Sequence, residues 1–476
     1  MAMRKTKIVA TLGPASSDVE TIKRLIRAGM DVARFNFSHG DHREQLSRFL
    51  ALKQAREELG KPVAALLDTK GPEVRLGRFE GGKAELLAGE SFTLTTADLL
   101  GTAKRASVSY KRLPMDVRAG DTILLDDGNI ELCVQRVCGS EIETRIIDGG
   151  IISDRKGVNL PGVHLNMPYM SEADEQDLLF GIKHGYDIVA ASFVRSAEDL
   201  LILREFLNKN GGGHMKIIAK IENAEGVENA GEIIRSCDGI MVARGDMGVE
   251  IPLEEVPVEQ KRLIKRGYLA GKQVITATQM LESMITNPRP TRAEGTDVAN
   301  AIYDGTSAIM LSGETAAGKY PVKAVETMAR IALRTEQDID YKKRFFTESQ
   351  RNRGAENTPD AVSHAACTVS YDLNATALLA LTKTGTTAKL ISKFRPSMPI
   401  IGCAMTDEVM RQLNLSWNVF PVRVEEKMEM DELFAHAVEK AVEAGYLHRG
   451  ELVIIVAGIP LGFAGTTNII KVHIVE

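Results

Sequence analysis

The chain has 476 residues, too many for one compact core, so two or three domains are expected. Hydrophobic residues make up 44% and charged residues 26%, the composition of an ordinary globular protein and not of a disordered one. A net charge of −5 excludes a broad basic face for nucleic acid or anionic lipid, while leaving room for a local Lys/Arg pocket.

The opening Met1-Ala-Met-Arg-Lys-Thr-Lys7 is basic, but Ile8 to Leu12 is too short for a signal-peptide core and reads as a first buried strand. Nothing directs the chain out of the cytoplasm. Strand-like runs then recur at Lys7–Leu12, Asp31–Asn36, Val63–Asp68, Asp187–Phe193, Lys216–Glu222, Gly239–Ala243, Gln273–Thr278 and Ala308–Ser312. Each except the third is followed by a helical pattern, and eight such units close into a (β/α)₈ barrel. An open Rossmann sheet is the alternative, but no glycine fingerprint follows the first strand.

Between Pro72 and about Pro168 the texture changes to short alternating strands, such as Ser107–Tyr110 and Thr122–Leu125. Turn signals at Gly81-Gly82, Asp127-Gly128 and Asp148-Gly149-Gly150 separate them. This is an all-β domain inserted after the third strand, where a lid can exclude water from a barrel's active end. A helix from Pro321 to about Ile339 ends the barrel, and a charged, poorly periodic linker is expected from Lys342 to Asn357. Strands near Ala375–Leu381, Pro399–Ala404, Val419–Val424, Glu451–Val456 and Ile469–Val475 then mark a C-terminal open α/β domain. The expected division is 1–71 with 169–341 for the barrel, 72–168 for the lid and 342–476 for the last domain. The longest apolar run, Leu452 to Ala464, is too short to span a bilayer. Cys133, Cys138, Cys237, Cys367 and Cys403 fit no zinc or disulfide spacing, so buried free thiols in a reducing compartment are expected.

Charged or hydroxyl residues gather at the carboxyl ends of seven of the eight barrel strands. Strand two ends Arg34-Phe-Asn36-Phe-Ser38-His39, and strand three ends Asp68-Thr69-Lys70. The next five end at Ser192, Lys220-Ile-Glu222, Arg244-Gly-Asp246, Thr276-Ala-Thr278-Gln279 and Ser312-Gly-Glu314. Any one of these can be a structural pair. Seven together point to a ligand, because partly buried charges are costly unless something binds them. Glu222 and Asp246 end adjacent strands, about 5 Å apart, so both carboxylates can reach one Mg²⁺ or Mn²⁺. Lys220 shares a face with Glu222 and offers a compact positive charge. Arg34 offers a bidentate fork for phosphate, while Gly245, Asp246 and Thr278 can hold a small carboxylate. Such a set suits phosphoryl transfer, which needs alignment and charge neutralisation more than covalent help. Asn36, Ser38, Asp68 and Thr69 make either a weak-field cation site or an ordinary hydrogen-bond network.

The motifs Ala33-Arg-Phe-Asn-Phe-Ser-His-Gly40, Leu67-Asp-Thr-Lys-Gly-Pro-Glu73, Lys156-Gly-Val-Asn-Leu-Pro161, Ile218-Ala-Lys-Ile-Glu-Asn223 and Ile240-Met-Val-Ala-Arg-Gly-Asp246 resemble those of pyruvate kinases. So do Ile275-Thr-Ala-Thr-Gln-Met-Leu-Glu-Ser-Met284 and Arg289-Pro-Thr-Arg-Ala-Glu294. The resemblance covers nearly the whole chain. It implies phosphoryl transfer from phosphoenolpyruvate to ADP, giving pyruvate and ATP at the last step of glycolysis. On the same basis Lys220, Arg34 and Thr278 are catalytic, Glu222 and Asp246 bind Mg²⁺, and Asn36, Ser38, Asp68 and Thr69 bind K⁺. Substrate contacts fall to Arg34, Lys220, Gly245, Asp246 and Thr278, and nucleotide contacts to Arg34, Asn36 and His39. Potassium-dependent members carry Glu in the Gly-Pro-Glu motif, as Glu73 does here. A cytoplasmic homotetramer is also implied. The chain departs from the family at Ser307, where Asp is usual, and at Ala173, where Lys is common.

Thr382-Lys-Thr-Gly-Thr-Thr387 follows a strand and opens a helix, so Thr382, Thr384, Gly385, Thr386 and Thr387 either cradle an effector phosphate or simply cap a βα turn. The similar loop in regulated pyruvate kinases binds a sugar phosphate. Leu433 stands near where an Arg is expected for fructose bisphosphate, which leaves AMP or ribose 5-phosphate as plausible activators. Two other readings compete: a metal-dependent aldolase or lyase, which would not need Arg34 and Lys220 together, and a binding protein with a dead site.

Overall fold

The computed structural model describes residues 3–351, 357–460 and 465–476. Eight parallel strands, Lys7–Thr11, Val32–Asn36, Ala64–Asp68, Ile188–Ala191, Lys216–Ile221, Gly239–Ala243, Gln273–Ala277 and Ala308–Leu311, form a closed barrel. Each pairs with its neighbours in sequence, and Lys7 opposite Ala308 closes the ring between the last and the first. The expected (β/α)₈ fold is therefore present, with strand ends within a few residues of those read from the sequence.

Alternation decides what each strand does. Val9, Val32, Leu66, Ala190, Ile218 and Met241 fill the barrel's interior, while Ile8, Phe35, Leu67, Val189, Ala219 and Ile240 pack outward against the helices. Both sets are fully buried, so the strands read as continuous apolar runs until their carboxyl ends. The helices start and stop where short-range chemistry dictates. His42–Leu59, for example, begins with the Asp41 carboxylate accepting from the Glu44 N–H at 2.9 Å and ends on left-handed Gly60.

The inserted segment has its own core, built on Phe92, Leu94, Ile123, Leu132, Val134 and Ile146. Its six-stranded sheet runs Val158–Asn159, Thr122–Leu125, Ile130–Cys138, Glu141–Asp148, Ser91–Thr95, Arg105–Ser107, with Lys83–Leu86 and Gly150–Ser153 paired beside it. The strand expected at Ser107–Tyr110 lies instead at Arg105–Ser107: the Val108 N–H makes the last bond of that ladder, to the Thr95 carbonyl, and the Ser109 N–H then turns to the Arg75 carbonyl. At the root of the insertion, Gly71 is left-handed with φ 73°. A Cβ there would lie 2.9 Å from the Ser192 carbonyl oxygen, so only glycine lets the chain leave the barrel at this point.

The C-terminal sheet orders its strands Val419–Arg423, Ile400–Ala404, Ala377–Thr382, Leu452–Gly458, Thr467–Ile474, the last antiparallel to its neighbour. Residues 461–464 of the apolar run, and 352–356 of the expected linker, lie outside the described residues. The rest of that linker differs from expectation: Tyr341–Arg351 is a helix. The Asp340 carboxylate caps it through the Lys343 N–H at 2.9 Å. Phe345 anchors it against His364, Tyr371 and Phe394, and Tyr341 meets Trp417. Tyr341 and Phe345 are four residues apart, a pairing the surrounding charges hid.

The two domains meet at the barrel's amino end. Leu415 from the C-terminal domain plugs the interior. Asp187, fully buried, accepts from Arg411 at 2.7 Å and from the Ala65 N–H at 2.8 Å, with Arg56 at 3.7 Å. Ser307 belongs to this joint too: its hydroxyl accepts from the Val274 N–H and from Arg395, both at 3.1 Å. Ala173 is exposed beside the Ser171 cap and carries no such contact. Three of the five cysteines are buried free thiols, as expected, but Cys133 is half-buried and Cys138 exposed, both on a central strand of the inserted domain's sheet. Among the described residues no helix is long and apolar enough to cross a membrane.

Candidate active site

At the barrel's carboxyl end the inward positions change from apolar to polar. Arg34 follows Val32 in the inward series, Asp68 follows Leu66, Ser192 follows Ala190 and Lys220 follows Ile218. The same periodicity that fills the core thus aims these four side chains at one point above it.

They meet in a single network. Asp68, 1% exposed, accepts from Arg34 Nε at 2.6 Å and from Lys220 Nζ at 3.1 Å. Lys220 also donates to Ser192 Oγ at 2.7 Å and lies 2.8 Å from Glu222 Oε1. The other Glu222 oxygen accepts from the Phe193 N–H at 2.6 Å. Arg34 turns a second nitrogen onto Thr11 Oγ1 at 3.0 Å. Desolvation opposes the charge on each buried group, so the signs of the neighbours decide the outcome. Burial disfavours the Asp68 carboxylate, yet Arg34 and Lys220 hold it below its ordinary range. Burial likewise disfavours the Lys220 ammonium, yet Asp68 and Glu222 hold it above its ordinary range, so it stays charged. Glu222 is the exception. Burial pushes its carboxyl up, Lys220 draws it back and the nearby Asp246 adds to the rise.

That imbalance bears on a metal. Asp246 adds to the cost of charge on Glu222, and a cation between the two carboxylates would relieve it. No group of three or more His, Cys, Asp or Glu that could hold a metal occurs among the described residues. A site with two protein carboxylates fits an ion that takes its remaining ligands from substrate and water, as Mg²⁺ does. The monovalent set is mixed in its fit. Asn36 and Asp68 are register partners on adjacent strands, and Asn36 Oδ1 already accepts from the Ser38 N–H at 3.0 Å. Thr69 Oγ1 is engaged between the Ser192 N–H and the Ala190 carbonyl, so its main-chain oxygen, which accepts from Ser192 Oγ at 2.7 Å, is the group left to offer.

Thr278 adopts φ 69° and Gln279 φ 54°, a left-handed pair that is uncommon without glycine and costly for a β-branched residue. Thr278 Oγ1 accepts from the Gly245 N–H at 2.8 Å and donates to the Ala277 carbonyl at 2.6 Å. The pair expected to grip a small carboxylate therefore grips itself. Arg244 holds the turn by donating to the Thr278 carbonyl at 2.7 Å, and Asp297 anchors Arg244 at 2.7 Å.

Other polar ends are tied off away from the network. Thr276 bonds Thr306 at 2.9 Å, and Glu314 accepts from the Leu281 and Ser312 N–H groups. His39 is exposed; its carbonyl and that of Asn36 accept from buried Gln45. Thr11 and Gln45 were missing from the residues read from the sequence, and Ser192 was read as a polar strand end without a role of its own. Each is a polar residue inside an apolar pattern, which is the signal that singles them out.

In the C-terminal domain, Thr382 Oγ1 accepts from the Gly385 N–H at 2.9 Å, Thr384 and Thr386 hydroxyls lie 2.9 Å apart, and Thr387 meets Thr467 at 2.8 Å. The small pocket they line also includes Leu433.

Residues 3–325 match the family model "Pyruvate kinase, barrel domain", and residues 360–473 match "Pyruvate kinase, alpha/beta domain". A pyruvate kinase of Clostridium acetobutylicum is 49% identical over 475 residues, covering 100% of both chains. One from Geobacillus stearothermophilus is 49% identical over 99% of this chain and 81% of its own. Among solved structures, a pyruvate kinase from Cryptosporidium parvum superposes with a TM-score of 0.94 at 39% identity, over 99% of this chain and 96% of that one.

Proposed function

The chain belongs to the pyruvate kinase family, and from that membership we propose that it moves a phosphoryl group from phosphoenolpyruvate to ADP at the network of Arg34, Asp68, Ser192, Lys220 and Glu222. The observation that carries this is Lys220: a charged ammonium, buried and held by Asp68, Ser192 and Glu222, standing beside two carboxylates suited to a divalent cation.

Lys220 and Arg34 neutralise charge on the phosphoryl group as it passes between oxygens; with both already fixed by Asp68, little reorganisation is needed at the moment of transfer. Thr278 and the main-chain N–H groups of Gly245 and Asp246 hold the substrate carboxylate once the bond between Gly245 and Thr278 opens. His39 and Asn36 join Arg34 in contacting the nucleotide. Glu222 and Asp246 would hold Mg²⁺ or Mn²⁺, and Asn36, Ser38, Asp68 and Thr69 would hold K⁺; these ions would supply positive charge that offsets the negative charge of the phosphates. Transfer leaves enolpyruvate, whose methylene carbon then takes a proton to give pyruvate. Thr278 is too weak an acid for that step, so a water chain delivers the proton. Residues 72–168 act as the lid, 1–71 with 169–341 as the catalytic barrel and 342–476 as a regulatory domain.

Regulation by a phosphorylated metabolite at Thr382, Thr384, Gly385, Thr386 and Thr387 belongs to the same reading. Leu433 in the lining of that pocket favours AMP or ribose 5-phosphate over a bisphosphate. Calorimetric titration with each compound tests it, and no heat from any of them rules it out. A cytoplasmic homotetramer completes the assignment.

Pyruvate formation from phosphoenolpyruvate and ADP, followed by coupling to lactate dehydrogenase, tests the activity. Turnover is expected with Mg²⁺ and K⁺ and is expected to fall when either is removed. No pyruvate under any of these conditions rejects the reaction, and full activity without K⁺ rejects the potassium set.

A further inference from the structure

The short helix that carries Gly245 and Asp246, Arg244–Glu250, ends in a carboxylate that the reaction as derived leaves unused. Glu250 lies four residues after Asp246 and so on the same side of the helix. Its partners all come from the inserted domain. Asn159 Nδ2 donates to Glu250 Oε1 at 2.8 Å, and the Leu160 N–H donates to the same carboxylate. Glu250 is half-buried, and that burial pushes its carboxyl above its ordinary range.

These bonds reach the lid's tip. Asn159 sits in the strand Val158–Asn159, which pairs with Thr122–Leu125 through Val158 opposite Leu125 and Asn159 opposite Leu124. Thr122–Leu125 runs straight into Asp126-Asp127-Gly128, where Lys156 holds Asp126 at 2.6 Å. That tip overhangs the same helix: a Cβ on Gly128 would stand 3.7 Å from Val249, and the Asp246 charge is felt at Asp127. The lid and barrel are parted by a cleft of about 380 Å³, lined by Glu250, Asn159 and Leu160 together with Val163, Leu165 and Glu228. Nearer the hinge, Arg195 donates to the Leu165 and Met167 carbonyls and His164 meets Glu225 at 3.0 Å, so the grip of Glu250 is the tether next to the tip.

We propose that Glu250 is a positioning residue which, by holding Asn159 and the Leu160 amide, sets the lid's tip over Asp246 and makes the helix of Asp246 and the lid move as one unit. The inference rests on the phosphotransferase reading above.

The test is a double-mutant cycle of Glu250→Ala and Asn159→Ala on the full chain, read by steady-state kinetics, by hydrogen exchange at amides 157–160, and by Mn²⁺ binding in the absence of substrates. Each single variant is expected to lose about 10- to 100-fold in kcat, as residues that orient metal-site groups do. The double variant is expected to lose no more than the worse single one. Amides 157–160 are expected to exchange faster in both, with Mn²⁺ affinity unchanged. Glu250→Gln, which keeps an acceptor for Asn159, is expected to recover most of the lost rate. Additive losses, unaltered exchange, or Mn²⁺ affinity falling in step with kcat would each overturn the proposal; the last would make Glu250 a mere support for Asp246. Absence of phosphoryl transfer in the unsubstituted chain would count against the parent reading, and the exchange cycle alone would then decide the tether.

Discussion

Ser192 has an ordinary side chain in a demanding place. It donates to Asp68 at 3.2 Å and to the Thr69 carbonyl at 2.7 Å as alternatives, and accepts from Lys220. Removing its hydroxyl leaves the Lys220 ammonium with two anions and no neutral partner to fix its height. Ser192→Ala is expected to lower kcat by about 10- to 100-fold, the range for partners that orient a reactive group, with little effect on folding. Thermal unfolding alongside the kinetics checks both halves; a normal kcat would reduce Ser192 to packing. Lys7 tests the opposite end of the barrel. Burial against the Val419 carbonyl and the Phe420 ring lowers its pKa from 10.5 to about 8. Below pH 8 the folded protein carries the cost of that buried charge. Between about pH 8 and 10.5 the native state binds fewer protons than the unfolded chain, so this group's contribution to stability rises with pH. Relative to Lys7→Met, which does not titrate, the native sequence is expected to gain in urea midpoint across that window. A difference that stays constant with pH would contradict it. Arg34, Asp68, Lys220 and Glu222 were legible in the sequence because charge on an inward parity is costly without a ligand. The left-handed backbone at Thr278 was not, since nothing in Thr-Gln distinguishes it from an extended strand end.

Among the elements, the helix Tyr341–Arg351 shows what local pattern misses. Its charged face dominates the composition, and its stability comes from Phe345, which is 2% exposed among His364, Tyr371 and Phe394. Phe345→Ala is expected to destabilise the protein by about 3–5 kcal/mol through the cavity it leaves. Urea unfolding measures this, and a loss within error would mean that the helix is held by its cap and Tyr341 without Phe345. Barrel strands, by contrast, were legible to within a few residues, because a strand buried on both faces writes an apolar run that turns polar only at its end. The strand Arg105–Ser107 was misplaced because three residues carry too little pattern to fix a register.

For the whole molecule, the order barrel, insertion, barrel, α/β domain follows from where periodicity changes along the chain. The seating of the last domain does not. Asp187, Arg56 and Arg411 are scattered in sequence, and only the fold reveals that one carboxylate binds two domains together. The polar end depends on that same barrel, since the strand that starts after Asp187 ends at Ala191, next to Ser192. Everything proposed about function comes down to a charged lysine at the centre of this crown. The most direct measurement is kcat for Lys220→Met beside its Mn²⁺ affinity. The account predicts a fall of at least about 10²–10³-fold in kcat, the scale for deleting one transition-state charge contact, with metal binding largely retained. A near-normal kcat in that variant would contradict it.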